Sequence, residues 1–109
     1  MDRDPDQGAF VRVARLSELG EGEVRGVEAG GRRIALVRLG DTVCAIGDDC
    51  SHDEALLSEG RLEGEVLRCP WHGARFDVRT GRALALPAVD DVPCYRVRLR
   101  GDDVEVAID

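Results

Sequence analysis

The chain has 109 residues, a formal charge of −7, 43% hydrophobic residues, and 4 cysteines beside 2 histidines. That length suits one domain; no apolar run approaches the roughly 20 residues of a membrane-spanning helix; and the acidic balance disfavours nucleic acid, whose polyanionic backbone needs clustered Lys and Arg. The opening Met1-Asp2-Arg3-Asp4-Pro5 lacks the basic and then apolar segments of a secretory leader, so a cytoplasmic protein with reduced cysteines is expected.

Residues 1–8, polar and acidic around Pro5, read as a mobile tail. Apolar and polar residues then alternate over 10–14, 33–38, 42–46 and 95–99, the period of two of half-buried strands. Leu16-Ser17-Glu18-Leu19 reads as a single helical turn capped by Ser17, and a second short helical stretch is suggested around 53–57. Gly30-Gly31 and Gly40-Asp41 mark hairpin turns, and Gly81 after Thr80 marks another turn. Cys44 and Cys94, in the apolar runs 42–46 and 93–97, are expected to be buried free thiols and not a disulfide. Arg100-Gly101-Asp102-Asp103 would join 96–99 to 104–108 in a C-terminal hairpin. Many short strands, 13 Gly and 4 Pro place the chain in the all-β class, as a sandwich or barrel-like fold. There are no internal repeats.

Charge is unevenly placed. Between Asp41 and Glu65 stand eight acids, Asp41, Asp48, Asp49, Asp53, Glu54, Glu59, Glu63 and Glu65, against the single base Arg61. The following stretch reverses sign, with Arg68, Arg75, Arg79 and Arg82 against Asp77. Such asymmetry can steer a carrier to a partner, and an ordinary solvated surface is an equal alternative.

Both histidines and two of the four cysteines fall in one pattern: Cys50-Ser51-His52, sixteen residues, then Cys69-Pro70-Trp71-His72-Gly73. Two thiolates and two imidazoles on two short loops can hold a two-iron, two-sulfide cluster with Cys on one iron and His on the other, which points to one-electron transfer. Structural zinc also accepts two Cys and two His, but zinc fingers favour Cys-x-x-Cys and His-x-x-x-His pairs over one of each per loop. A zinc-stabilised interaction module therefore stays open as an alternative. Pro70 fixes φ, and Gly73 permits close backbone approach. Trp71, the only Trp, could exclude water from the site, present a docking surface or pack in the core. No G-x-G-x-x-G fingerprint appears for a dinucleotide, and no His remains for a mononuclear iron site of two His and a carboxylate. The chain reads as a carrier and not an enzyme.

With Cys-x-His, sixteen residues, Cys-x-x-His-Gly, and Phe76-Asp77 beyond it, the chain resembles the small soluble Rieske ferredoxins, including the ferredoxin components of bacterial ring-hydroxylating dioxygenases. The likeness in strand patterning covers 10–108, and its specific residues lie between Asp48 and Gly81. It implies one 2Fe–2S cluster, with Cys50 and Cys69 on the inner iron and His52 and His72 on the outer one. It also implies stacked antiparallel sheets in a single domain, 1–109, with 47–81 as a cluster-binding subdomain. Rieske proteins of quinol-oxidising complexes add a Cys to each loop and join them by a disulfide; here Ala55 and Trp71 occupy those positions. Those relatives also place Ser and Tyr hydroxyls against cluster and ligand sulfur, where this chain has Ala74 and Phe76, which argues for the lower part of the range of roughly −150 to +300 mV.

By the same resemblance the outer imidazoles keep an exposed N–H, so the potential should fall as pH rises past their oxidised-state pKa. The implied partners, met transiently by a monomer, are an NAD(P)H-dependent flavin reductase and a terminal non-haem iron, aromatic-ring-hydroxylating oxygenase. Two related roles remain alternatives: a ferredoxin serving iron–sulfur assembly or another redox pathway, and the small subunit of a nitrite reductase, which often lacks the ligands.

Overall fold

The computed structural model describes residues 10–49, 55–70, 74–85 and 90–108; the expected tail at 1–8 lies outside them. In chain order the described strands are β1 (Phe10–Arg15), β2 (Val24–Ala29), β3 (Arg32–Leu39), β4 (Thr42–Gly47), β5 (Arg61–Glu63), β6 (Val66–Arg68), β7 (Arg75–Asp77), β8 (Ala83–Ala85), β9 (Cys94–Tyr95), β10 (Val97–Arg100) and β11 (Asp103–Ala107). They form three antiparallel sheets ordered β1-β11-β10, β2-β3-β4-β9 and β5-β6-β7-β8. The all-β expectation holds.

The middle sheet organises the other two. Ile34 and Leu36 of β3, with Val43 and Ala45 of β4, face one side and pack against Leu19, Val104 and Val106. Ala35 and Val37, with Cys44 and Ile46, face the other side and pack against Leu57, Leu67, Phe76 and Val78. Successive side chains of a strand point to opposite faces, so a strand covered on both sides reads as an unbroken apolar run. Ile-Ala-Leu-Val and Val-Cys-Ala-Ile are those runs, so the strands expected to be half-buried at 33–38 and 42–46 are instead buried on both faces. The register pairs Leu36 with Ala45 and Val37 with Cys44.

The chain leaves this sheet after β4 and comes back to it at β9. Departure and return are tied directly, since the Gly47 N–H donates to the Pro93 carbonyl at 2.8 Å. A Cβ on Gly47 would meet Pro93 Cδ at 2.8 Å, so the backbones approach this closely only because the residue is glycine.

Several local expectations are corrected. The single strand expected at 95–99 is divided between two sheets, with Cys94 opposite Ile46 in the middle sheet and Val97 opposite Val106 in the C-terminal one. The chain crosses between sheets at Arg96, and alternation carries through the crossing because both halves are strands. The first helical turn is a 3₁₀ turn at Leu16–Glu18, and Ser17 does not cap it. Its N–H and hydroxyl donate instead to the Asp102 carboxylate, at 2.9 and 2.7 Å, tying this turn to the β10–β11 turn. The second 3₁₀ turn is Leu57–Glu59, displaced from 53–57, of which 53 and 54 lie outside the described residues.

Cys44 is buried, but Cys94 is exposed because β9 is a two-residue edge strand; neither forms a disulfide. The Cys94 thiol donates to the Arg79 carbonyl at 3.3 Å. Desolvation pushes both thiols above the ordinary cysteine range, Cys94 through the partial cover of its sulfur. Among the described residues no helix is long and apolar enough to cross a membrane.

Leu36 is fully buried in the middle sheet, so Leu36→Ala should cost about 2–5 kcal/mol, read as a lower urea midpoint at unchanged slope. The raised Cys44 pKa has a defined sign. The unfolded thiol ionises first, so the folded chain holds more protons, and stability should decline as pH rises past about 8.5. In Cys44→Ala that alkaline decline, followed by urea unfolding at stepped pH, should be shallower.

Candidate metal centre

The small sheet β5–β8 carries one continuous apolar row: Leu62 opposite Leu67, Leu67 opposite Phe76, Phe76 opposite Ala83. Strands of three residues cannot hold a sheet in water by themselves. Leu67, Phe76 and Val78 are fully buried against the middle sheet, and each such side chain contributes about 1.5–3 kcal/mol when removed from water.

Cys69 follows β6 at the end of this sheet. It is only 2% exposed, and its N–H donates to the Ala74 carbonyl at 2.7 Å, closing the chain around 70–73. Its neighbours in the core include Leu67, Ala74 and Phe76. The base of the first loop is closed as firmly. Asp49 bridges to Leu56, and the Leu57 N–H donates to the Asp48 carbonyl at 2.7 Å.

The Asp48 side chain, 3% exposed, reinforces that closure. One oxygen accepts the Ser58 N–H at 2.6 Å, and the other accepts the Ser58 hydroxyl at 2.8 Å. Gly26 of β2 makes room for both: a Cβ there would meet Ser58 Oγ at 2.8 Å and Asp48 Oδ2 at 2.9 Å. Gly26, Asp48 and Ser58 thus form a clasp that sequence reasoning missed. The available signal was an Asp and a Ser flanking the first loop, ten residues apart.

The two loop bases lie side by side. The 3₁₀ turn Leu57–Glu59 runs through Gly60 into β5, where Arg61 pairs with Arg68, the residue before Cys69. Ala55, Leu57, Cys69 and Ala74 belong to one buried cluster. Of the expected ligands Cys69 is described; Cys50, His52 and His72, with Trp71, lie outside the described residues. The described part suits an iron–sulfur cluster: a soft sulfur donor sits in apolar, water-poor surroundings at a closed turn, next to the base of the loop bearing Cys50 and His52.

Several acids near the site are matched locally. Arg79 pairs with Glu65 at 2.7 Å, and its guanidinium holds the Glu65 carboxyl below the usual range. Glu63 lies 3.7 Å from Arg68, and Asp49 3.9 Å from Arg33. With Asp48 bound to Ser58, the acidic stretch is not a uniform negative face.

A small all-β protein with two neighbouring loop bases closed by hydrogen bonds, a buried cysteine at one of them and a cysteine–histidine pattern in its sequence suits the class of iron–sulfur carriers. Residues 9–96 match the Rieske [2Fe-2S] domain. The ferredoxin component of biphenyl 2,3-dioxygenase from Rhodococcus jostii is 40% identical over 93% of this chain and 94% of its own length. The ferredoxin of carbazole 1,9a-dioxygenase from Nocardioides aromaticivorans superposes with a TM-score of 0.90 at 41% identity, covering 94% of this chain and 100% of that one. A ferredoxin–oxygenase complex of carbazole 1,9a-dioxygenase also aligns, with a TM-score of 0.85 at 35% identity over 90% of this chain and 92% of that one. The chain belongs to the Rieske [2Fe-2S] domain family. It is an electron-transfer component with a Rieske-type 2Fe–2S cluster, and not a catalyst.

Removing the hydroxyl of the clasp leaves a buried carboxylate oxygen without its donor. Ser58→Ala should therefore lower stability by about 1–3 kcal/mol, seen as a lower melting temperature of the loaded protein.

Proposed function

We propose that this ferredoxin serves an aromatic-ring-hydroxylating oxygenase system, taking one electron at a time from an NAD(P)H-dependent flavin reductase and passing it to a terminal non-haem iron oxygenase. It would act as a cytoplasmic monomer that meets each protein transiently. The observation that carries this reading is the burial of Cys69 at a closed turn beside the clasped base of the first loop. The likeness to a ferredoxin that complexes its oxygenase supports the acceptor. The donor is inferred from the sequence, in which no nucleotide fingerprint appears.

We assign Cys50 and Cys69 to the inner iron and His52 and His72 to the outer one, and segment 47–81 to the cluster-binding unit. When bound, the cluster accepts and releases one electron. The chain's own residues set the conditions for that exchange. Leu67, Ala74, Phe76 and Val78 are fully buried and keep water from the cysteine side. Neither Ala74 nor Phe76 can donate a hydrogen bond to sulfur from its side chain, so the electron-rich cluster is left without that stabilisation and the potential lies low in its range.

Electron paramagnetic resonance and metal analysis test the assignment together. The reduced protein should hold about two irons per chain and give a rhombic signal with average g below that of all-cysteine clusters. A colourless protein holding zinc would sink the proposal. His72→Cys should lose the cluster or lower its potential toward the roughly −400 mV of plant-type ferredoxins, and Ala74→Ser with Phe76→Tyr should raise it toward the upper Rieske range, about +300 mV, both read by redox titration.

A further inference from the structure

The outer face of the small sheet carries an arrangement that stability does not explain. Arg61 of β5 is directly opposite Arg68 of β6, and Arg68 is directly opposite Arg75 of β7. All three side chains are exposed. Residues opposite each other in adjacent strands place their Cβ atoms about 4.5–5.5 Å apart, and like charges in that relation are destabilising. Among the described residues Arg68 pairs with Glu63 at 3.7 Å, a largely solvated contact, and neither Arg61 nor Arg75 has an ion pair. Elsewhere opposed strands pair unlike charges, as with Arg98 and Glu105 at 2.7 Å.

The position of the row is as telling as its composition. Arg68 immediately precedes Cys69, Arg75 immediately follows Ala74, and Cys69 and Ala74 are the bonded pair that closes the second loop. Arg61 follows Gly60, at the end of the turn leading from the first loop. The row therefore borders the loop end of the sheet. The next outward row, Glu63, Val66 and Asp77, lies two residues farther from the loops and carries the acids. The face is polarised, positive at the loop end and negative away from it, in a chain whose net charge is −7.

We propose that Arg61, Arg68 and Arg75 form a docking row for a carboxylate-rich patch that borders the electron-transfer centre of a redox partner protein. Such a patch lowers the repulsion within the row, and the polarity of the face turns the loop end toward the partner before contact. A chain that is acidic overall repels an acidic partner on average, and a local row of arginines offsets that repulsion where it faces the partner. The row then acts on encounter rate and orientation more than on affinity. This inference rests on the carrier role proposed above.

The test is stopped-flow electron exchange between the loaded ferredoxin and its cognate reductase, and separately its cognate oxygenase, over a range of ionic strengths. The variant R61Q/R68Q/R75Q should slow exchange with at least one of them by about tenfold at low salt and flatten its salt dependence. R61K/R68K/R75K should restore the rate. R15Q/R32Q/R100Q, which removes the same charge from exposed positions on the other two sheets, should leave it near wild type. The resonance spectrum of each variant verifies its cluster, and single Arg61→Gln and Arg75→Gln variants carry the test if the triple variant loads poorly. Equal rates in the two glutamine triples, or no slowing with either partner, would overturn the docking row while leaving the carrier role intact. A wild-type protein that exchanges electrons with neither partner would overturn both.

Discussion

Burial of the β3–β4 pair on both faces is the constraint from which the rest of the structure follows. Ile34, Leu36, Val43 and Ala45 hold the C-terminal sheet, and Ala35, Val37, Cys44 and Ile46 hold the small one. A shift of one residue in their register would exchange the two faces, pressing the residues that fit Val104 and Val106 against Phe76 and Leu67 instead. The two outer sheets hardly touch each other's cores, so each is positioned through the middle one. Among the described residues, a disturbance of β1, β10 or β11 reaches the core of the small sheet through the middle one.

The small sheet is held differently from its support. Its strands span three residues each, and its cohesion comes from one apolar row and from closures at the loop bases. The bonds from Cys69 to Ala74, Leu57 to Asp48 and Ser58 to Asp48 remove freedom from the flanks of both loops. Binding of a cluster to such a unit should add to folding stability, as metals do where a site does not survive unfolding. Preorganised flanks also limit rearrangement when charge at the site changes by one unit.

Much of this was legible in the sequence, and the exceptions have physical causes. The runs 33–38 and 42–46 announced strands, read as half-buried although the middle sheet is covered on both faces, and Gly30-Gly31 and Gly40-Asp41 marked the hairpin turns. The cysteine–histidine pattern was legible because chemistry restricts which residues can hold iron. Strands β5 to β8 went unread, being too short for a period of two to repeat. β2 went unread because Gly26 replaces a side chain with space for Asp48 and Ser58. The exposure of Cys94 depends on β9 ending as an edge, which its apolar neighbours in sequence do not reveal. Ser17 looked like a cap because its partner, Asp102, is 85 residues away.

The hydrogen bond from Gly47 to Pro93 has a consequence for how such a protein can change over generations. Everything between those residues leaves and re-enters the middle sheet through one gap, where the two backbones touch. The intervening forty-odd residues join the middle sheet at one place in the chain, and their described buried side chains share a core with it. Their loops can lengthen, and their outer charges can be rewritten, without altering the spacing of that gap. Selection can thereby revise exposed positions of that stretch, while its buried side chains, among them Leu57, Leu67, Phe76 and Val78, stay bound to their fit against β3 and β4.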